Sequence, residues 1–165
     1  VGLCGEEVGE EVKILPKQFL ELQAHWMQIR DEYDQIKNDR VSWHEPIHNG
    51  GWYVIGFKYQ GKDLPDKSKA PLTTKLCEAI PGIYTFGFSI MKPSCEIIPH
   101  IGYSGDVLRV HLGLYTNPQA AIKVEDEQHV WEDGKLFVFD DTKVHSAWNR
   151  GGKDRVILLV DYLKP

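Results

Sequence analysis

Three cysteines in 165 residues, no long apolar run and no surplus of positive charge narrow this chain before any motif is considered. Cys4, Cys77 and Cys95 are odd in number and unrelated in spacing, so they make neither a disulfide framework nor a CxxC metal site. Reduced, mostly buried thiols are expected, and with them a cytoplasmic setting; Cys95, close to His100, is the one weak candidate for a reactive thiol. No stretch approaches the roughly 20 apolar residues that span a bilayer, so no membrane segment is expected. The opening Val1–Val8 is too acidic for a signal peptide. With 19 Lys and Arg against 24 Asp and Glu, the net charge of -5 leaves no basic patch to neutralise phosphates, which argues against nucleic acid as a partner. Repeats and low-complexity segments are absent.

The length suits one domain with a core of its own. Residues 1–15 read as frayed, acidic and disordered, 16–82 as a mostly helical part, and 83–165 as a β core. Phe19, Leu22, Trp26, Ile29, Tyr33 and Ile36 recur at threes and fours, predicting one amphipathic helix from about 17 to 37 behind Pro16. Trp52–Tyr59 is a strand, the polar stretch to Ala70 a mobile loop, and Leu72–Ile80 a short helix stopped by Pro81-Gly82. Beyond Ile83 come strands at 84–91, 96–99, 107–115, 121–124, 135–139, 144–148 and 156–162, separated by Gly, Pro, Asn and Asp. Helices followed by short, regularly spaced strands predict an antiparallel jelly roll with N-terminal helices packed on one side.

One strand stands apart. In Val107–Leu114, Val107, Arg109, His111 and Gly113 share a face, while Leu108, Val110, Leu112 and Leu114 share the other. The leucine face belongs on a core and the Arg-His face lines a pocket, with His100 just upstream. Downstream, Val144–Trp148 and Arg155–Tyr162 read as a hairpin about Arg150, which makes His145 and Arg155 cross-strand neighbours. Arg155 begins a strand that is otherwise largely apolar, so it needs an anionic partner from the protein or a ligand. His25, His44, His48 and His129 read as ordinary surface or core residues, and Trp131 as core.

From about residue 15 to the end, the chain resembles the aspartyl/asparaginyl β-hydroxylase family of Fe(II)- and 2-oxoglutarate-dependent oxygenases. The likeness runs through Trp26–Glu32, Gly51-Trp52, Ser89–Pro93, Pro99–Gly102, Arg109–Leu114, Trp131–Lys135, Phe139–Asp141 and His145 with Arg155 ten residues on. It implies a double-stranded β-helix with iron held by His100 and His145. Arg155 with Ser89 would grip the distal carboxylate of 2-oxoglutarate, for which the planar guanidinium is the fitting partner. His111 and Arg109 match positions near the other carboxylate and the substrate's acidic group, Met91 a pocket wall, and Trp52 a contact on the substrate side.

Two residues after His100, where most such oxygenases place an acidic third ligand, this chain has Gly102. A water would fill that place, or Asp106, Asp140 or Asp141 would substitute; Asp140-Asp141 reads as a turn pair or as support for His145. The resemblance implies a dioxygenase using O2 and 2-oxoglutarate to hydroxylate the β-carbon of an Asp or Asn residue in a peptide or protein, or a small acidic substrate. The alternatives are hydroxylation of a lipid acyl chain or a free amino acid, and a non-catalytic jelly-roll module that binds carboxylates.

Overall fold

The computed structural model describes residues 2–8, 11–103 and 105–165, with side chains from Leu15 onward, Ser104 excepted. Branched and aromatic runs become strands because a pleated chain sends successive side chains to opposite faces, and here both faces have apolar layers to join. The elements are β1 (Gly2–Val8), β2 (Glu11–Pro16), α1 (Gln18–Ala24), α2 (Trp26–Ile36), β3 (Val41–Ser42), β4 (Trp52–Tyr59), β5 (Lys62–Asp63) and α3 (Pro71–Glu78). There follow β6 (Ile83–Met91), β7 (Glu96–His100), β8 (Val107–Tyr115), β9 (Ala120–Val124), β10 (Glu127–Val130), β11 (Leu136–Phe139), β12 (His145–Asn149) and β13 (Arg155–Leu163).

A large antiparallel sheet runs β11-β8-β13-β6-β4-β3, with β5 paired to β4, and a smaller one runs β10-β9-β12-β7. Between them lies an inner apolar layer of Met91, Ile97, Ile122, Phe137, Phe139 and Ile157. On the far side of the large sheet, Phe19, Leu22, Ile29 and Tyr33 from the helices meet Phe57, Phe88, Val110 and Leu158. Tyr33 stands edge-on to Phe88 at 5.3 Å. Each such side chain contributes about 1.5–3 kcal/mol by leaving water. The fold is the jelly roll with helices on one side that the strand spacing predicts. No helix among the described residues is long and apolar enough to cross a membrane.

Several local expectations are corrected. The helical stripe is continuous but the helix is not: it breaks at His25 (φ -103°, ψ 21°) into α1 and α2. The break seats Trp26 on the turn at Gly134, where φ is +73° and a Cβ would lie 2.8 Å from the indole nitrogen. The N-terminal segment expected to be frayed forms the hairpin β1–β2, whose backbones satisfy one another regardless of acidic side chains; Val1, Gly9 and Glu10 lie outside the described residues. The polar stretch expected to be a mobile loop is β5 and a short 3-10 helix at Pro65–Lys69. Its charges pair: Lys58 with Asp63 at 3.0 Å, Lys67 with Asp63 and Glu78, and Lys69 with Asp39 and Asp66. β10 is an additional strand.

The correction that matters for function concerns β12 and β13. They are not a hairpin: β12 pairs with β7 and β9 in the small sheet, while β13 pairs with β6 and β8 in the large one. The turn between them crosses the barrel. His145 and Arg155 therefore stand on opposite sheets, with the interior between them.

Candidate active site

The inward row of the large sheet carries Ser89 and Met91 on β6, Arg109 and His111 on β8, and Arg155 on β13. Their neighbours Phe88, Ile90, Val110, Leu112 and Val156 point to the helices. Across the barrel, His100 and His145 are direct partners on β7 and β12, with ring centroids 4.3 Å apart. Each ring is oriented alike: His100 Nδ1 lies 2.7 Å from Ile98 O, and His145 Nδ1 2.8 Å from Lys143 O. A carbonyl accepts, so each neutral ring carries its proton on Nδ1 and leaves Nε2 with a lone pair. Burial pushes His145 down to about 4, so it is neutral near pH 7. Two imidazoles held at Nδ1 by backbone carbonyls, with their Nε2 edges left for another partner, are metal-ligand chemistry.

What Gly102 leaves out shapes the space beside the two histidines. A Cβ on Gly102 would fall 1.4 Å from Asp141 Oδ2 and 2.0 Å from Asp141 Cγ. The Asp141 carboxylate thus occupies the place where a side chain at 102 would start. It is fully buried, 3.5 Å from His145 Nε2 and paired with Arg109 Nη1 at 2.9 Å. Burial, with the neighbouring Asp161, raises its pKa despite Arg109. Asp140 is the turn residue, accepting from Thr142 N at 2.9 Å and Thr142 Oγ1 at 2.6 Å. Among the described residues no three His, Cys, Asp or Glu side chains converge as a complete metal cage. The histidine pair stands with the Asp141 carboxylate alongside.

On the opposite sheet lies a site for an anion. Arg155 donates through Nη2 to Ser89 Oγ at 2.8 Å and Ser89 O at 3.2 Å, and its guanidinium lies 4.5 Å from the Trp131 ring centroid. Its Nε is buried without a partner, and burial lowers its pKa to about 9. Trp131 Nε1 donates to His111 Nδ1 at 3.1 Å, which places the imidazole proton on Nε2, a second buried atom without a partner. Burial, Arg155 and Arg109 hold His111 far below its ordinary pKa. Ser89 Oγ accepts from both Arg155 and Trp52 Nε1 (3.0 Å), leaving its own proton to donate. Met91 lies opposite both Trp52 and Arg155 in register. Unsatisfied buried donors of this kind are costly unless something accepts from them.

Expected near a carboxylate of co-substrate or substrate, Arg109 gives Nε and Nη2 to Asp161 at 2.8 and 2.9 Å, and Nη1 to Asp141. Its charge is matched by two buried carboxylates of the chain itself. Asp161 also accepts from Tyr103 Oη at 2.6 Å. Sequence reasoning misses Asp161, Tyr103 and the role of Trp131. The available signal for Asp161 is its phase: it shares a face of β13 with Arg155, Ile157 and Leu159. Cys95 is buried, with its thiol pushed up to about 11, so it is not the reactive thiol its nearness to His100 suggests. Cys77 is buried and free, and the Cys4 side chain lies outside the described residues.

A cavity of about 460 Å³ reaches this machinery, bordered by Ser89, His100, Gly102, Arg109 and Asp141 and continuing between Trp43, Trp52, Leu64 and Leu159. Trp52 is on its wall, and so is His44, an exposed residue. His48 packs on Trp52, His129 stacks on Phe137 at 4.0 Å, and His25 contacts Glu21.

Comparisons with known proteins agree with the family resemblance and with this fold. The pattern of the aspartyl/asparaginyl beta-hydroxylase family matches residues 23–165. An ornithine lipid ester-linked acyl 2-hydroxylase of Rhizobium tropici is 37% identical over 117 residues, covering 69% of this chain and 41% of that protein. The human aspartyl/asparaginyl beta-hydroxylase is 32% identical over 158 residues, covering 87% of this chain and 21% of that protein. The chain thus spans less than half the length of either. A Pseudomonas putida prolyl-4-hydroxylase superposes with a TM-score of 0.57 at 16% identity, over 87% of this chain and 88% of that one. A Thermotoga maritima predicted oxalate decarboxylase gives 0.51 at 14% identity, over 76% and 90%. At those identities the likeness shows the fold.

Proposed function

The chain belongs to the aspartyl/asparaginyl β-hydroxylase family, and from that premise we propose that it is an Fe(II)- and 2-oxoglutarate-dependent dioxygenase that hydroxylates a C–H bond. The observation that carries the reading is the pairing of two unlike sites across one barrel: two Nε2 lone pairs beside a buried carboxylate, facing unsatisfied donors from Arg155 and His111. His100 and His145 would hold the iron, with Asp141 in the place that Gly102 vacates. Iron and 2-oxoglutarate, when bound, supply dioxygen activation coupled to decarboxylation of the 2-oxoglutarate to succinate and CO2.

The rest is done by this chain's residues. Arg155 and the Ser89 hydroxyl bind the distal carboxylate, as charge-assisted bonds in a water-poor interior. His111 donates Nε2–H to the co-substrate, and Trp131 holds the tautomer that makes this possible. Met91 and Trp52 wall the pocket and keep water from it. Arg109, tied to Asp141 and Asp161, holds the Asp141 carboxylate toward His145 Nε2.

For the substrate, the resemblance favours the β-carbon of Asp or Asn or a small acidic compound held by Arg109, and a family relative is named for that reaction. A second relative is named as an acyl 2-hydroxylase, and two observations favour its kind of substrate: Arg109 is already matched by two carboxylates, and the cavity beyond the histidines is largely apolar. A carboxylate-binding module without turnover would have no use for two free Nε2 atoms. Succinate formation from 2-oxoglutarate under air with Fe(II) tests the assignment. Turnover is expected in the parent and absent in His100→Ala and His145→Ala; equal succinate in all three would refute it.

A further inference from the structure

Arg109 is held between two buried carboxylates, and one further residue reaches all three groups. Tyr103 stands three residues after His100, in the turn that leaves the small sheet, yet its side chain ends on the large one. There Thr85, Asp161 and Arg109 are side-by-side partners on β6, β13 and β8. Tyr103 Oη lies 2.6 Å from Asp161 Oδ2 and 3.1 Å from Thr85 Oγ1. A carboxylate accepts, so the tyrosine proton goes to Asp161 and the Thr85 hydroxyl donates to Tyr103. Gln60 N in turn donates to Thr85 Oγ1 at 3.0 Å. Every proton in this row runs one way, toward the carboxylate that takes Arg109 Nε and Nη2. Burial and Asp161 hold the Tyr103 hydroxyl well above its ordinary pKa, so it stays a donor. The Arg109 guanidinium lies 5.8 Å from the Tyr103 ring centroid, and the Tyr103 backbone amide favours the charged form of Asp141. Asp141 in turn lies between Arg109 Nη1 and His145 Nε2, so where Arg109 stands decides where that carboxylate stands.

We propose that Tyr103 is a positioning residue: its hydroxyl locks Asp161 and through it Arg109, so that Arg109 sets the Asp141 carboxylate beside His145. Its effect on a metal rests on the oxygenase reading; the lock on Arg109 rests on the hydrogen bonds alone. Two readouts on Tyr103→Phe keep these apart. The ring is 37% exposed, so the substitution removes the hydroxyl and leaves the core packing in place. In metal-free protein, exchange of the Arg109 Nε–H with water is followed by NMR. It should speed up about tenfold or more, the worth of a hydrogen bond to a carboxylate. Co(II) titration of the same proteins should show affinity about tenfold lower, with an altered visible spectrum, as when the support behind a metal ligand is lost. Tyr115→Phe removes a like bond, to Asp34 at 2.8 Å, on the helix side of the large sheet, and should move neither readout. Unchanged Arg109 exchange in Tyr103→Phe overturns the lock, whatever the metal does. Faster exchange with Co(II) affinity and spectrum unchanged overturns the positioning of Asp141 for the metal. A folded parent that binds no Co(II) sinks the oxygenase reading, while faster exchange in Tyr103→Phe still upholds the lock.

Discussion

Gly102→Ala is the smallest change that tests how the third donor position is built. The new methyl would begin 1.4 Å from Asp141 Oδ2, and Gly102 N donates to Asp141 O at 2.6 Å, so the two backbones cannot simply part. The carboxylate must leave its place between Arg109 and His145. Disrupting a buried ion pair costs about 3–5 kcal/mol, and the lower freedom of alanine in the unfolded chain returns about 0.4–1 kcal/mol. A net loss of roughly 2–4 kcal/mol follows, which for a domain of this size lowers the melting temperature by about 5–15 °C. Urea unfolding of the parent, Gly102→Ala, Asp141→Ala and the double variant measures it. Because the clash is with Asp141, the double variant should cost clearly less than the sum of the single ones. Gly102→Ala within about 0.5 kcal/mol of the parent, or strict additivity, would refute the placement of Asp141.

Other consequences are as direct. Since burial holds His145 at about 4, against about 6.5 unfolded, its contribution is complete above about 6.5 and is lost as pH falls toward about 4, by about 3 kcal/mol. Asp141, raised by burial, works in the opposite sense, so the difference in urea stability between parent and His145→Gln across that window isolates the imidazole. Arg155→Lys keeps a charge but loses the planar fork, and 2-oxoglutarate binding measured by calorimetry should weaken roughly 10- to 100-fold. Trp131→Phe keeps the packing and removes the donor to His111 Nδ1; stability should fall by about 1 kcal/mol, with weaker 2-oxoglutarate binding alongside. An unchanged 2-oxoglutarate affinity in Trp131→Phe would mean that the His111 tautomer is not set by Trp131.

Much of the barrel is legible in the sequence because period two is hard to disguise. The phase of Val107–Leu114 is enough to turn Arg109 and His111 inward, and the same phase on β13 turns Arg155 inward too. The His145–Arg155 hairpin fails for a physical reason: local sequence marks a turn, but whether the next strand returns to the same sheet or crosses to the other is decided by distant partners. Arg109 reads as a cation awaiting a ligand because its partners, Asp141 and Asp161, lie 32 and 52 positions away in the chain. The break at His25 depends on Gly134, over a hundred residues on, and no helical periodicity records it. Gly102 stands out in the sequence as a missing carboxylate; that Asp141 fills its space depends on a contact between different loops, which no local pattern encodes.

The central claim is that one barrel holds a metal on His100 and His145 and a dicarboxylate on Arg155, Ser89 and His111. Anaerobic titration of metal-free protein with Fe(II) and 2-oxoglutarate, following the visible metal-to-ligand charge-transfer band, tests it most directly. The account predicts a band in the parent, none in His100→Ala or His145→Ala, and a band in Arg155→Ala that needs far more 2-oxoglutarate. No band in folded parent protein, or an undiminished band without the histidines, would contradict it.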